Sequence, residues 1–288
     1  MIDAGLKPCA TGVARPNRTA ETLRPGVAHP FRGAKHTIHV MNNVLIVTGG
    51  SRGIGAATAL LAAERGYAVC VNYRKNRDAA DQVVSKIQAA GGKALAVGAD
   101  VALESDVVRL FETVDAQMGP LAGLVNNAGV LETQVRVEHM DAARIDRVFA
   151  TNVRGAFVCA REAVRRMSTK RGGSGGAIVN VSSRAAQLGA PGEYVDYAAS
   201  KAALEAMTIG LAREVAGEGI RVNGVRPGII YTDIHADGGE PNRVERLGPT
   251  LPMQRGGHAI EVARAILWLL SDEASYSTGT FIDVSGGR

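Results

Sequence analysis

Residues 41–288 are predicted to form one α/β domain, a doubly wound parallel sheet of about seven strands with helices on both faces. Three observations predict it. From residue 44 onward, apolar runs of five to seven residues alternate with longer stretches of helical character. The chain has 35 Gly among its 288 residues, abundant Ala and Val and few aromatics, which suits helices packed closely on a sheet buried on both sides. A glycine-rich turn sits at the first strand-to-helix junction.

Taken in order, "VLIVTGG" is the first strand and "GIGAATALLAAERG" a helix ending at Gly66. "AVCVNYR" is the second strand, and "RDAADQVVSKIQAAGG" a helix closed by glycine. "ALAVGADV" is a strand, "ESDVVRLFETVDAQMG" a helix and "GLVNNAGV" the fourth strand. One long helix is expected over about 141–170, then the strand "AIVNVSS", a helix over 195–217 and the strand "IRVNGVRPG". A helix over 261–271 and the strand "GTFIDVSGG" complete the alternation, and no repeat or linker interrupts it.

The first forty residues differ in kind. They carry Pro8, Pro16, Pro25 and Pro30, show no apolar periodicity, lack serine and contain no hydrophobic run of secretory type. Two readings stand: a disordered extension over 1–40, or a natural start at Met41, the second being favoured. Six basic residues against two acidic ones there account for most of the +5 net charge, leaving 27 basic and 26 acidic side chains on the rest. The basic pI is therefore a property of the tail and argues against a nucleic-acid partner. No apolar run approaches the length of a membrane span. Cys9, Cys70 and Cys159 have no metal-ligand or redox spacing, and no metal is expected. Free buried thiols at Cys70 and Cys159 suit a reducing, cytoplasmic setting.

Chemistry enters at "YVDYAASK". Tyr197 and Lys201 are four apart, so on a helix they share a face, whereas Tyr194 has only Ala198 at that spacing. An ammonium beside a phenol favours the phenolate and would bring the tyrosine toward a working pKa. The turn "TGGSRGIG" lies where a dinucleotide-binding fold keeps its glycines, which let backbone N–H groups approach a pyrophosphate at a helix N-terminus. Its spacing, through Gly49, Gly53 and Gly55, is TGxxxGxG rather than GxGxxG.

With that spacing the chain from about residue 42 resembles the short-chain dehydrogenase/reductase family. Further landmarks fall in the family's order: Ala99–Asp100, "NNAG" at 126–129, Thr151–Asn152, "VSS" at 181–183, "YAASK" at 197–201 and "RPG" at 226–228. The resemblance implies a single-domain Rossmann fold and nicotinamide-dependent oxidoreduction of a small carbonyl or alcohol. It implies that Tyr197 is the acid/base, that Lys201 lowers its pKa and holds the nicotinamide ribose, and that Asn152 anchors a proton-relay water. It also implies a serine that polarises the substrate carbonyl. Ser183 is preferred to Ser182 because its spacing before Tyr197 is nearer the family's, Ser182 then facing the other way as strand neighbours do.

The cofactor set implied by the resemblance is Gly49, Ser51, Arg52, Gly53, Ile54 and Gly55 in the loop, with Tyr73 and Arg74 after the second strand. Asp100 and Val101 would meet the adenine, Asn126 the adenine ribose, and Ala128 and Gly129 the backbone side of the cofactor. Tyr197 and Lys201 would reach the nicotinamide end, where Pro227, Gly228, Ile230 and Thr232 complete the wall. The polar segment 233–249 matches the family's substrate lid. His235 and His258 are expected to be exposed loop residues, with His235 in reach of the substrate.

No acidic residue ends the second strand, where NAD-specific relatives place one on the ribose hydroxyls. Arg52 and Arg74 instead offer guanidinium forks for a 2′-phosphate. NADPH is therefore the expected cofactor, with NAD open through dual specificity. A 3-oxoacyl-thioester reductase and a sugar or polyol dehydrogenase of the glucose 1-dehydrogenase kind are the leading readings. A nucleotide-sensing protein without chemistry would lack the Tyr-x-x-x-Lys pair, and a sugar-nucleotide epimerase would space its glycines TGxxGxxG. A homotetramer, or a homodimer, is expected from the apolar content of the helices at 141–170 and 195–217.

Overall fold

The computed structural model describes Met1 and residues 43–288, so the extension expected over 1–40 lies, Met1 apart, outside the described residues. From β1 (Val44–Val47) the chain runs through α1 (Gly53–Glu64), β2 (Ala68–Tyr73), α2 (Arg77–Ala89), β3 (Ala94–Gly98), α3 (Glu104–Gln117) and β4 (Leu121–Asn126). It continues through α4 (Ala142–Phe149), a π-helical turn over Ala150–Gly155, α5 (Ala156–Met167), β5 (Gly176–Val181), α6 (Ala185–Leu188), α7 (Val195–Val215) and β6 (Ile220–Pro227). The last part holds β7 (Ile230–Tyr231), α8 (Ile234–Asp237), α9 (Arg243–Leu247), β8 (Gly257–His258), α10 (Ala259–Leu270) and β9 (Phe281–Val284).

Seven strands form one parallel sheet in the order β3-β2-β1-β4-β5-β6-β9, as the alternation predicts. All four residues of β1 are buried because both faces of the sheet are covered. Val44 and Ile46 join Leu110 and Phe111 of α3, Cys159 and Ala163 of α5 and Leu204 of α7. Leu45 and Val47 face the other way, toward Ala59 and Ala62 of α1 and Val262 and Ile266 of α10. Each such large side chain withdrawn from water contributes about 1.5–3 kcal/mol. Order reverses at β1, whose neighbours are β2 and β4, and a crevice opens there at the strands' carboxyl ends.

The expected long helix over 141–170 is not continuous. Asp141 caps α4 by accepting from Arg144 N at 2.6 Å, but the repeat loosens to a π-turn before α5 resumes it. Such turns insert a residue into the helical repeat and re-aim the side chains they carry. Here the turn carries Asn152.

Candidate active site

The helix α7 is locked onto the sheet by a buried polar chain. Asn126 Nδ2 donates to Asn180 Oδ1 at 3.0 Å, Asn180 Nδ2 to Thr208 Oγ1 at 2.8 Å, and Thr208 Oγ1 to Leu204 O at 2.8 Å. Lys201, Leu204, Thr208, Ala212 and Val215 form the buried stripe of that helix, so Lys201 is carried inward beside the core. Its ammonium donates to Val181 O, the last carbonyl of β5, at 2.8 Å and lies 5.6 Å from the Tyr197 ring centroid. Burial pulls the Lys201 pKa down to about 8.

Burial also sets Tyr197, pushing the phenol up to about 12, with the Ser183 hydroxyl acting in the opposite direction. The expected lowering by Lys201 is not what this geometry gives, because the amine is itself desolvated and turned to the Val181 carbonyl. Ser182 and Ser183 part as strand neighbours do. Both border the cleft, but Ser182 is buried and donates to Glu205 at 2.8 Å, while Ser183 is half-buried and its Oγ accepts from Ala185 N at 3.1 Å. Asn152 is 1 % exposed; its Oδ1 accepts from Val130 N at 2.8 Å, and its Nδ2 donates to Val130 O and Ser200 Oγ, each at 3.0 Å. Both of its side-chain donors are thus committed to holding the chain after β4 against α7.

The glycine loop is built for close approach. Gly49 sits at φ +60°, and a Cβ on Gly55 would stand 2.2 Å from Gly49 O. A Cβ on Gly53 would touch Thr232 at 3.1 Å, so the loop and the chain after β7 meet across the cleft. α1 has no side-chain cap and no acidic residue in its first turn, which leaves its N-terminus suited to a pyrophosphate. The cradle fits a nicotinamide dinucleotide. A cleft of about 880 Å³ runs from this loop to Tyr197, at the large end for small-molecule sites.

Of the expected residues, Gly49, Ser51, Arg52, Gly53, Ile54, Tyr73, Arg74, Asp100, Val101, Ala128, Gly129, Pro227, Gly228, Ile230 and Thr232 line this cleft, as do Ser183, Tyr197 and Lys201. Gly55 supports the loop from behind. Asp100 Oδ1 accepts from Ala102 N at 3.0 Å, closing the turn after β3, and Tyr73 lays its ring over Gly98. Arg52 is already engaged, in an ion pair with Asp237 of α8.

Two expectations about the site are corrected, and two residues are added to it. Asn126 is the last residue of β4 and is turned into the protein on Asn180 and Ala156 O, away from the cleft. Asn127 takes the cleft position, donating to Thr48 O at 2.8 Å and Gly49 O at 3.0 Å. His235 is not exposed: it is 9 % exposed, bonded through Nε2 to Ile230 O at 3.0 Å, because the lid folds as α8 and α9 over the cleft. Asn72 was missed as well; its Oδ1 accepts from Gly49 N at 3.2 Å and its Nδ2 reaches Val97 O and Ala99 O, tying the loop to β3. The second Asn of "NNAG" and the polar residue in an apolar strand were the available signals.

A family profile described as enoyl-(acyl carrier protein) reductase matches residues 49–288. The chain is 62% identical over 245 residues to the uncharacterized oxidoreductase YgfF of Escherichia coli (strain K12), covering 85% of this chain and 99% of that one. It is 38% identical over 247 residues to the 3-oxoacyl-[acyl-carrier-protein] reductase FabG of Staphylococcus aureus (strain Mu50 / ATCC 700699), covering 86% and 98%. Its fold matches the crystal structure of a short-chain type dehydrogenase/reductase from Mycobacterium marinum with a TM-score of 0.80 at 33% identity, covering 86% and 96%. The chain belongs to the short-chain dehydrogenase/reductase family. As a short-chain dehydrogenase/reductase it is an NAD(P)-dependent oxidoreductase of alcohol and carbonyl groups. Among the described residues no helix is long and apolar enough to cross a membrane.

Proposed function

We propose that this enzyme reduces a carbonyl substrate with NADPH, Tyr197 delivering the proton. The observation that carries the reading is the convergence of Tyr197, Ser183 and Lys201 at the inner end of the cleft that the glycine loop opens. When bound, the nicotinamide supplies the hydride. The Ser183 hydroxyl orients the substrate carbonyl beside the phenol. Tyr197, held protonated by burial, gives its proton to the carbonyl oxygen, and this supports the reductive direction. Lys201 then restores the phenol's proton, its lowered pKa making the transfer accessible near neutrality. Asn152 fixes Val130 and α7 on either side of this pathway, and any water it holds would bind its backbone rather than its committed amide.

Preference for NADPH is supported by Arg74 and Lys75, both lining the cleft after β2 where no carboxylate stands. A 3-oxoacyl thioester is the favoured substrate class, by analogy with the acyl-carrier-protein reductase to which the chain is similar. Exposed Ile145 and Phe157 on α4 and α5 and Ile209 on α7 support a homotetramer, which light scattering tests. The cytoplasm is the compartment we infer, supported by the buried free thiols of Cys70 and Cys159. A panel of 3-oxoacyl thioesters, aldoses and simple ketones, followed by NADPH absorbance, tests the reaction. Turnover of none of them in either direction would overturn it.

A further inference from the structure

Three arginines stand at the substrate end of the cleft: Arg184, next after Ser183; Arg243, on the lid helix α9; and Arg288. Their charges are unequally answered. Arg184 donates to Asp283 at 2.9 Å and, through Nε, to the Arg288 main-chain oxygen at 2.7 Å. Arg243 is buried, lies over the Tyr194 ring, and is ion-paired with Glu193 and Glu240. The Arg288 guanidinium has neither an ion pair nor a hydrogen-bond acceptor among the described residues. It is half-buried, and burial together with the charges of Arg243 and Arg184 pulls its pKa down.

The half-buried guanidinium feels Arg243 and Arg184 against it and the Glu193 carboxylate for it, yet it reaches no hydrogen-bond acceptor among the described residues. The main-chain bond from Arg184 and the bond from Ser285 Oγ to the same Arg288 oxygen, at 3.1 Å, nevertheless hold the residue against the cleft. An anion in the cleft would supply the missing acceptor, and the guanidinium fork matches carboxylate and phosphate oxygens. Glu193, which bears on Arg288, lies in the turn just before α7 and lines the same cleft as Tyr194 and Tyr197, so the fork borders the space beside the reacting groups.

We propose that Arg288 is the anchor for an anionic group on the substrate, a carboxylate or a phosphate, so that the enzyme selects carbonyl compounds that carry a negative charge. The inference rests on the carbonyl-reductase reading and names the substrate class for that site. Carboxylate and phosphate sources are told apart by paired probes. A small 3-oxo acid is compared with its methyl ester, and a 3-oxoacyl thioester of phosphopantetheine with that of N-acetylcysteamine, which lacks the phosphate.

In the wild type the anionic member of one pair should have a KM ten- to a hundredfold below its neutral partner, about the effect of one charge-assisted contact. Arg288→Gln should collapse that ratio toward one with little change in kcat, and Arg288→Lys should restore part of it. The pair that shows the ratio identifies the source. Equal KM values within both pairs, or an equal loss for charged and neutral members in Arg288→Gln, would overturn the anchor while leaving carbonyl reduction standing. If no carbonyl is turned over, the reading of the reaction fails separately. Calorimetric binding of the 3-oxo acid and the phosphopantetheine thioester to the wild type and Arg288→Gln then decides the anchor: binding of either that is lost in the variant supports it, and no difference sinks it.

Discussion

Arg52 of the glycine loop is ion-paired with Asp237 on the lid helix α8, residues 185 positions apart in the chain. Both side chains are about half exposed, 53% and 45%, so the pair itself is worth no more than about 1 kcal/mol. It holds the guanidinium expected to read the cofactor's phosphate on a carboxylate instead. Asp237→Asn should therefore tighten NADPH up to about fivefold, within that energy, with a smaller effect on NADH. Fluorescence titration of both cofactors checks it, and an unchanged NADPH affinity would show that Arg52 does not swing to the phosphate.

Tyr197→Phe should lower kcat by ~10²–10⁴-fold while NADPH affinity stays within about twofold, since general acid–base groups contribute on that scale and the ring is kept. Tyr194→Phe is the comparison. It removes only a long bond to Gly238 O, 3.3 Å, and the packing under Arg243 remains, so its kcat should fall no more than a few-fold. Retention of a tenth of the rate in Tyr197→Phe would remove that residue from the chemistry.

Lys201→Met should abolish turnover and yet stabilise the fold at neutral pH. The folded pKa of about 8 lies below the unfolded 10.5, so the folded chain binds fewer protons between those values and stability rises with pH across that window. Below pH 8 the full desolvation cost is present, up to about 3 kcal/mol. Losing the donor to Val181 O returns roughly 1–3 kcal/mol of that. A net gain of about 1 kcal/mol corresponds to a Tm increase of ~2–4 °C at pH 7. The gain should fade between pH 8 and 10.5, and a Tm difference independent of pH would mean that folding does not lower the pKa of this amine.

Asp196 and Arg144 form a bidentate pair at 2.7 and 3.2 Å, with side chains 2% and 9% exposed, and Arg144 also donates to Thr133 O at 2.6 Å. Asp196→Asn leaves the buried guanidinium without its counter-charge and should cost about 3–5 kcal/mol. Thermal unfolding should fall by about 10 °C. The double replacement Arg144→Met with Asp196→Leu should lose less than the single change. If the single change is neutral, the pair is not buried in solution.

Tyr73→Asp with Arg74→Ala should reverse cofactor preference, from a KM for NADPH at least tenfold below that for NADH. The new carboxylate would accept from ribose hydroxyls and repel a 2′-phosphate. Unaltered KM values would mean that these positions do not read the phosphate.

The central strands were legible because each is a largely apolar run that only a sheet covered on both sides accommodates; "VLIV" leaves little choice. The glycine loop and the Tyr197–Lys201 spacing were legible because turn geometry and helical pitch restrict residue type and interval. What escaped depends on a single residue of phase or on tertiary cover. Asn126 and Asn127 are chemically identical neighbours, and only the end of β4 decides which one faces the cleft. "ATNVRG" holds no Pro, and its one glycine, Gly155, is of a kind regular helices also tolerate, so its composition does not mark a π-turn. His235 lies in a polar segment and is buried only because α8 folds down beside Tyr194.

That π-turn places a constraint on inheritance as well as on geometry. In a regular helix each residue removed turns all that precedes it by about 100° relative to all that follows, and draws it in by about 1.5 Å. Arg144 must meet Asp196 from one side of the turn, while Asn152, inside it, must meet Val130 and Ser200. A one-codon deletion between residues 150 and 155 would satisfy one station by abandoning the other. Descendants of this gene can exchange side chains along α4 and α5, but the number of residues joining the two helices is closed to drift.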